Sequence, residues 1–361
     1  MSRRYLLKPV PMSARIPFVL PLNYKAEWKP FFKEDRKHES VKLGIRSIQN
    51  VFVSQEGMVL KNGIPVWGCA PNMGFSRYDE SALLGHWKLA FEQWVVSRRG
   101  KSLPLKKLSH GKTYALIHSP WFSYYFWLTE ALPRLLMLRP YFSQMVLLRP
   151  RIWDSFPFVK ETLALFPELQ LEILEDSEHC WVPDLLMPET KPWSPMFLKT
   201  PLIEVRDFLF ESWNLNQPQD LPPIYISRKR SQRRRFQNED QVEDFFTAYG
   251  FEVVCMEELP FREQVQRIFG AKGIAGITGA GLINSMFLPK GSFLWDLSNS
   301  QYKSTSRYKF HFFKMCNMLG VHYGLSFFNP VFTLGADHYT SNNLKEDIPL
   351  LHEDWKRLSL Q

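Results

Sequence analysis

Between Thr113 and Leu297, short apolar runs alternate with stretches in which apolar residues return every three or four positions. That alternation predicts strand, helix, strand, helix. Tyr114–His118 reads as a strand, Phe122–Leu138 as a helix and Met145–Arg149 as a strand. Ile152–Phe166 reads as a helix and Leu171–Leu174 as a strand. Prolines at 188, 192, 195 and 201 then interrupt the chain before a helix over Leu202–Trp213. Residues 216–223, rich in Pro, Gln and Asn, read as a linker. Beyond it the pattern is most regular. Strands are predicted at Ile224–Ser227, Phe251–Val254, Gly273–Ile277 and Ser292–Leu297. Helices are predicted at Glu239–Tyr249, with Gly250 placed to end it, and at Phe261–Phe269. Strands joined by helices of about ten residues imply a parallel sheet covered on both faces.

The first hundred residues are less regular. Asn62-Gly63, inside Val59–Val66, is the signature of a tight hairpin turn. Leu84, Trp87, Phe91 and Trp94 recur at helical spacing within Ser81–Val96, predicting an amphipathic helix with that face inward. A chain of 361 residues is too long for one compact core and sufficient for two α/β domains. The boundary is placed at the linker, giving domains 1–215 and 216–361, with the last helices returning to the first domain.

Composition narrows the class. Hydrophobic residues at 45% and charged residues at 22% describe a globular protein. Aromatics reach 15%, most of them expected in the core. Cys69, Cys180, Cys255 and Cys316 lie far apart without a Cys-x-x-Cys pair, so no zinc site is expected; Cys255 reads as a buried thiol. Met1–Lys8 holds no apolar run of signal-peptide length. Residues 121–138 are apolar, but Glu130, Pro133 and Arg134 favour a buried helix over a membrane span. A formal net charge of +9 suits a polyanion, an anionic membrane face or a phosphorylated substrate.

Two features carry chemistry. Gly273-Ile-Ala-Gly-Ile-Thr-Gly-Ala-Gly-Leu-Ile-Asn284 reads as a buried strand, a glycine turn and the start of a helix. Gly279 and Gly281 allow a ligand close to the backbone, and the free N–H groups of a helix start favour an anion. Such a turn also exists for geometry alone. The basic run Arg228–Arg235 follows another strand. In a parallel sheet both would leave carboxyl strand ends, where ligands bind. Arg228 would then offer a forked donor to a diphosphate. A solvated loop and a non-specific nucleic-acid patch are the alternatives for the basic run. Asn238 is placed to cap the following helix. In the 122–138 helix, Trp127, Glu130 and Arg134 share a face. Glu130 and Arg134 form either an i,i+4 ion pair or a site in which an apolar setting makes Glu130 a base. Pro133 should bend this helix.

Tyr124-Tyr-Phe-Trp-Leu-Thr-Glu-Ala-Leu-Pro-Arg134 resembles the first signature of glycosyltransferase family 61. Ile226-Ser-Arg-Lys229 with Arg234, Arg235, Asn238 and Glu239 is similar to the second block. Residues 257–265, then Gly279-Ala-Gly-Leu282 with Asn284, Phe287 and Pro289, resemble the third. The resemblance spans about residues 113–297. It departs at Phe126 and Thr278, where the family usually has histidine. It implies a GT-B-like architecture of two Rossmann-like domains with parallel sheets facing a central cleft. It further implies inverting transfer from a nucleoside-diphosphate sugar to a glycan or lipid-linked saccharide, as in bacterial capsule and surface-polysaccharide members.

On this reading Arg228, Lys229, Arg234, Thr278, Gly279, Ala280, Gly281, Leu282 and Asn284 bind the donor. Glu130 is the base, with Asp296 in reserve. Trp127, Arg134, Asn238 and Glu239 complete the set. The sequence has no Asp-x-Asp pair, so metal-independent transfer without a cofactor is expected. Nucleic acid is not the expected partner. The expected place is the cytoplasm, at the inner face of the membrane, where basic charge favours anionic lipid. The competing classes are an inactive sugar-nucleotide-binding relative and a nucleic-acid-binding protein using residues 228–235. A dinucleotide oxidoreductase is disfavoured, because the spacing Gly276-x-x-Gly279-x-Gly281 differs from the dinucleotide fingerprint and comes late.

Overall fold

The computed structural model describes residues 4–5, 18–32, 43–70, 77–99, 103–191, 197–216, 218–301, 311–331 and 343–359. Side chains at 4–5, 30–31 and 77–82 are excepted. Most of the 1–8 stretch, Pro192, Pro195 and the linker's Gln217 lie outside the described residues. The chain divides into two compact units. One comprises Met1–Ser13 and Glu39–Val205; the other comprises Ala14–His38 and Arg206–Gln361.

The first unit is built on one sheet of β1 (Arg4–Tyr5), β2 (Ile45–Val53), β3 (Val59–Lys61), β4 (Ile64–Pro65), β5 (Leu105–Lys106), β6 (Thr113–Leu116), β7 (Met145–Pro150), β8 (Gln170–Leu174) and β9 (His179–Pro188). The order is β4-β3-β2-β9-β6-β7-β8, with β1 beside β2 and β5 beside β9. The β9-β6-β7-β8 half is parallel, as expected. The other half is antiparallel, so this sheet is mixed. Short links enforce that difference. Asn62 (φ 52°) and Gly63 (φ 77°) make a two-residue reversal between β3 and β4, which only antiparallel strands accept.

The longest strand, β9, was not predicted. Pro183 lies inside it, and an internal proline argues against a central strand. The pairing with β2 tolerates it through a local break. Val51 pairs with Val182 and Gln49 with Asp184, while the intervening Asn50 adopts φ 51°.

Helix α1 (Arg77–Arg98) covers this sheet, but not with the predicted face. Leu84 and Phe91 are 65% and 45% exposed, while Leu83, Trp87 and Ala90 are buried. Leu83, Trp87, Ala90 and Trp94 form an equally good helical stripe, and the small Ala90 permits a close approach. Helix α2 (Tyr124–Phe126), a π turn (Trp127–Ala131) and α3 (Leu132–Leu138) run on as one buried element. The wide turn, closed by Leu132 N–H to the Trp127 carbonyl, directly precedes Pro133. A proline withholds one N–H, and the extra residue in the turn accommodates that loss. The predicted 152–166 helix is split. A 3-10 turn (Arg151–Ser155) precedes α4 (Pro157–Leu163) because Phe156, before a proline, is extended. Helix α5 (Lys199–Ser212) contains the boundary between the units.

The second unit holds an all-parallel sheet of β10 (Ile224–Ile226), β11 (Glu252–Val254), β12 (Gly273–Ile277), β13 (Phe293–Asn299) and β14 (His322–Phe328). Its order is β11-β10-β12-β13-β14, so the winding reverses between β10 and β12. Its helices are α6 (Glu239–Ala248), α7 (Phe261–Gly270), α8 (His311–Leu319) and α9 (Ile348–Ser359). Tyr225 stacks on Phe246 at 4.1 Å, and Trp295 on Trp355 of α9 at 5.7 Å. The last helix therefore packs on this sheet; it was expected to return to the first domain.

Residues 18–32 also belong here. The Asn23 side chain donates to the Leu325 carbonyl (2.7 Å) and accepts from its N–H (3.0 Å). Cys255 is half-buried, whereas Cys69, Cys180 and Cys316 are buried, and all are free thiols. No described helix is long and apolar enough to cross a membrane.

Candidate functional site

In the second unit, the ends of β10 and β12 adjoin at the point where the winding reverses. Ligands of open parallel sheets bind outside such ends. After β10 the chain enters the basic loop, which Glu239 holds in shape. This buried carboxylate accepts from Tyr225 Oη (2.7 Å), Arg228 N–H (3.1 Å) and Phe236 N–H (2.8 Å). The Arg228 side chain is tied in turn. Its Nη2 donates to Ser231 Oγ (2.9 Å) and to the Arg233 carbonyl (3.0 Å).

What remains of Arg228 faces the glycine loop. A Cβ built on Gly279 would lie 3.7 Å from Arg228 Nη1 and 3.4 Å from Arg234 Nη1. Gly279 is extended (φ 174°), a conformation open to any residue. Arg234 (φ 55°) has no hydrogen bond or ion pair among the described residues. Burial, then the neighbouring Arg234 charge, lowers the Arg228 pKa. Glu257 and Glu239 pull the other way. Two guanidinium groups that converge beside a glycine suit an anion chemically.

The segment after Gly279 is a 3-10 helix, Ala280–Phe287, where the start of an α-helix was expected. Ala280 and Gly281 are half-buried, while Leu282 and Asn284 are buried. Leu282 packs on the strand side, where a Cβ on Gly276 would come within 3.3 Å of it. Thr278 Oγ1 donates to Asp296 Oδ1 (2.5 Å), and Tyr323 Oη to Asp296 Oδ2 (2.8 Å). Burial pushes the Asp296 pKa up to about 6 despite both bonds. Both Asp296 oxygens are thus occupied within the protein.

Two predicted members of this site are placed otherwise. The Lys229 ammonium turns to Asp240 and Glu243 on α6, which raise its pKa, and not to the glycine loop. Asn238 occupies the cap position of α6, but its side chain makes no capping bond; its N–H donates to Glu346 Oε2 (3.1 Å).

In the first unit the π turn buries Glu130. Arg134 is not its ion-pair partner. Arg134 donates to the carbonyls of Pro188 (2.9 Å), Ile117 (2.7 Å), Leu116 (3.3 Å) and Cys69 (3.4 Å), clamping strand ends together. The cation nearest Glu130 is Lys191, just beyond β9, with Nζ 3.7 Å from Oε1. Neither Glu130 oxygen nor Lys191 Nζ has a hydrogen-bond partner among the described residues. Burial raises the Glu130 pKa to about 7 against the pull of Lys191 and Arg134. Burial likewise lowers that of Lys191 to about 8.

Glu130 lines two narrow pockets. The second is aromatic, walled by Trp121, Phe126, Trp127 and Trp153 among others. Trp127 is fixed by Nε1 donating to Thr162 Oγ1 (3.0 Å) and by an edge-on contact with Trp153. His118, in the same wall, is held neutral by burial, its pKa pushed down to about 3. Neither Lys191 nor His118 was selected from sequence. Lys191 stands among prolines outside any periodic segment, and only the end of β9 brings it to Glu130.

Residues 124–294 match the family Glycosyltransferase 61. Over these residues the chain is similar to that family, which is a family of enzymes. The match runs from α2 into β13 and includes Glu130, Arg228 and the glycine loop. No curated protein matches the chain.

Proposed function

We propose that the protein is an inverting, metal-independent glycosyltransferase that takes a sugar from a nucleoside-diphosphate donor. The observation that carries this reading is the convergence of Arg228 and Arg234 over Gly279 at the reversal point of the parallel sheet. Two forked cations fit a diphosphate, whose negative charge grows as the glycosidic bond breaks. Such cations can do the work otherwise given to a divalent metal. In this GT-B-like reading, residues 216–361 form the donor domain and residues 1–215 the acceptor side.

Glu130 serves as the base. The acceptor hydroxyl oxygen bonds to the anomeric carbon, its proton passes to the Glu130 carboxylate, and the carbon–oxygen bond to the diphosphate breaks. The electron pair leaves with the nucleoside diphosphate. A glutamate that is buried, without hydrogen bonds and pushed toward neutral pKa suits this role. The acceptor is a glycan or lipid-linked saccharide of surface-polysaccharide synthesis, met in the cytoplasm at the inner membrane face.

Calorimetry against a panel of nucleoside diphosphates and nucleotide sugars tests the reading. One base should bind preferentially. Arg234→Ala should weaken that binding about tenfold or more, since a charged hydrogen bond contributes roughly 1.5–3 kcal/mol. The fold should be unaffected, because Arg234 holds nothing else. No nucleotide binding, or equal affinity in R234A, would sink the proposal. Binding without transfer to any saccharide would mark an inactive relative. The nucleic-acid alternative is weakened by Lys229 and Arg230, whose charges are matched by Asp240, Glu243 and Glu258. It predicts salt-sensitive retention of DNA that nucleotide sugars do not displace.

A further inference from the structure

We propose that Glu130 and Lys191 together form a cradle for one hydroxyl group of a pyranose acceptor, the hydroxyl donating to Glu130 and accepting from Lys191. This rests on the reading of Glu130 as the base and adds a second contact residue and a ligand class. The argument starts from hydrogen bonding. Buried carboxylates and ammonium groups are nearly always satisfied by protein partners. Here both members of a buried pair are unsatisfied, with a Glu130–Lys191 separation of 3.7 Å. That distance is close enough for attraction and too long for a charged hydrogen bond, which spans about 2.7–2.9 Å. A hydroxyl oxygen set beside the pair, about 2.8 Å from each atom, can donate to one and accept from the other.

Other donors and acceptors nearby are already engaged. Arg134 is held by four carbonyls. Glu189, which lines the same cavity, pairs with Arg46 and the Gly44 N–H. Tyr125 is kept protonated by burial, and His118 neutral. Lys191 lies over the faces of Tyr125 and Phe197, at 5.3 and 5.5 Å from the ring centroids. These contacts hold the ammonium without consuming its directional donors. The aromatic wall on the other side of Glu130 supplies flat surfaces for the apolar face of a sugar ring.

In the cradle, Lys191 favours the charged form of Glu130 and stabilises negative charge on the attacking oxygen. The test uses the full-length chain labelled with ¹³C at the glutamate carboxyl carbons. Glu130 is assigned by the resonance lost in Glu130→Gln, or in Glu130→Asp if that variant does not fold. Wild type should titrate near neutral pH. Lys191→Met should raise the midpoint by about one pH unit or more, and Lys191→Arg should restore it.

A panel of methyl glycosides of glucose, galactose, mannose, xylose and N-acetylglucosamine is then added. At least one should perturb the Glu130 resonance in wild type and not in K191M. An unmoved midpoint in K191M, or no perturbation by any glycoside, overturns the cradle. Perturbation that survives K191M assigns the sugar to Glu130 alone and also overturns it. Should nucleotide sugars bind while this test fails, only the cradle falls. If no nucleotide binds at all, the transferase reading falls instead.

Discussion

Two buried glutamates in this protein have opposite surroundings. Glu239 is 6% exposed and receives three hydrogen bonds, from Tyr225, Arg228 and Phe236. Glu130 is 5% exposed and receives none among the described residues, with Lys191 as its nearest cation. Burial is the same, so burial does not tell a carboxylate with free lone pairs from one whose lone pairs are taken. The difference lies in which lone pairs are already occupied. Glu239 stabilises a loop; Glu130 retains the capacity to take a proton. The arginines repeat the contrast. Arg134 is bound to backbone carbonyls, whereas the Arg234 guanidinium lies beside a glycine and makes no hydrogen bond or ion pair among the described residues.

Substitutions can break this contrast, and the largest effect is expected at the unsatisfied group. Glu130→Gln should lower turnover by about 10²–10⁴-fold, the usual contribution of a general base, with donor affinity by calorimetry unchanged. Turnover of the wild type should fall as pH drops through about 7, where Glu130 takes up a proton and ceases to be a base. A flat profile across that range would remove Glu130 from the chemistry.

Arg134→Met should show the reverse signature. It leaves buried carbonyls without donors and should cost about 3 kcal/mol or more in chemical denaturation. Glu239→Gln is intermediate. An amide cannot accept from all three donors, and a loss of about 1–3 kcal/mol is expected. Donor affinity should weaken with it, because the Arg228 loop loosens.

Thr278→Val should have the smallest effect. It removes one of two hydrogen bonds to Asp296, worth about 1 kcal/mol. The sign with pH follows from linkage. The folded Asp296 pKa, about 6, lies above its ordinary value of 3.8, so its ionisation costs stability as pH rises through that window. The lost bond served mainly the charged form. Thermal denaturation should therefore show a larger penalty at pH 8 than at pH 4.

The second unit was legible because its signals are local. Gly250 (φ 78°) ends α6, and the five residues of β12 are all buried. Gly273 leaves room for the Phe293 ring, which a Cβ would approach to 2.5 Å. The first unit was less legible. Strand β9 contains Pro183, and its acceptance depends on the conformation of Asn50 in another strand. The inward face of α1 was misplaced because two helical stripes compete and only the sheet below selects one. In the candidate site, Glu130, Arg228, Arg234 and the glycine loop were selected from type, spacing and resemblance. Lys229 was grouped with them, but its ammonium pairs with acidic residues on a helix face that a linear reading does not place.

The sequence by itself determined the alternation of strands and helices, the glycine turn after a buried strand, the basic loop after another, and the signature containing Glu130. These depend on periodicity, backbone freedom and residue type, which are properties of short segments. Tertiary structure decided which polar groups remain available. It turned Lys229 outward, fixed Arg134 and Glu239 as structural ties, and joined Thr278 to Asp296. It also brought Lys191 to Glu130. Hydrogen-bond partners there come from residues distant in the chain, and only packing determines whether a buried charge is satisfied or left to meet a ligand.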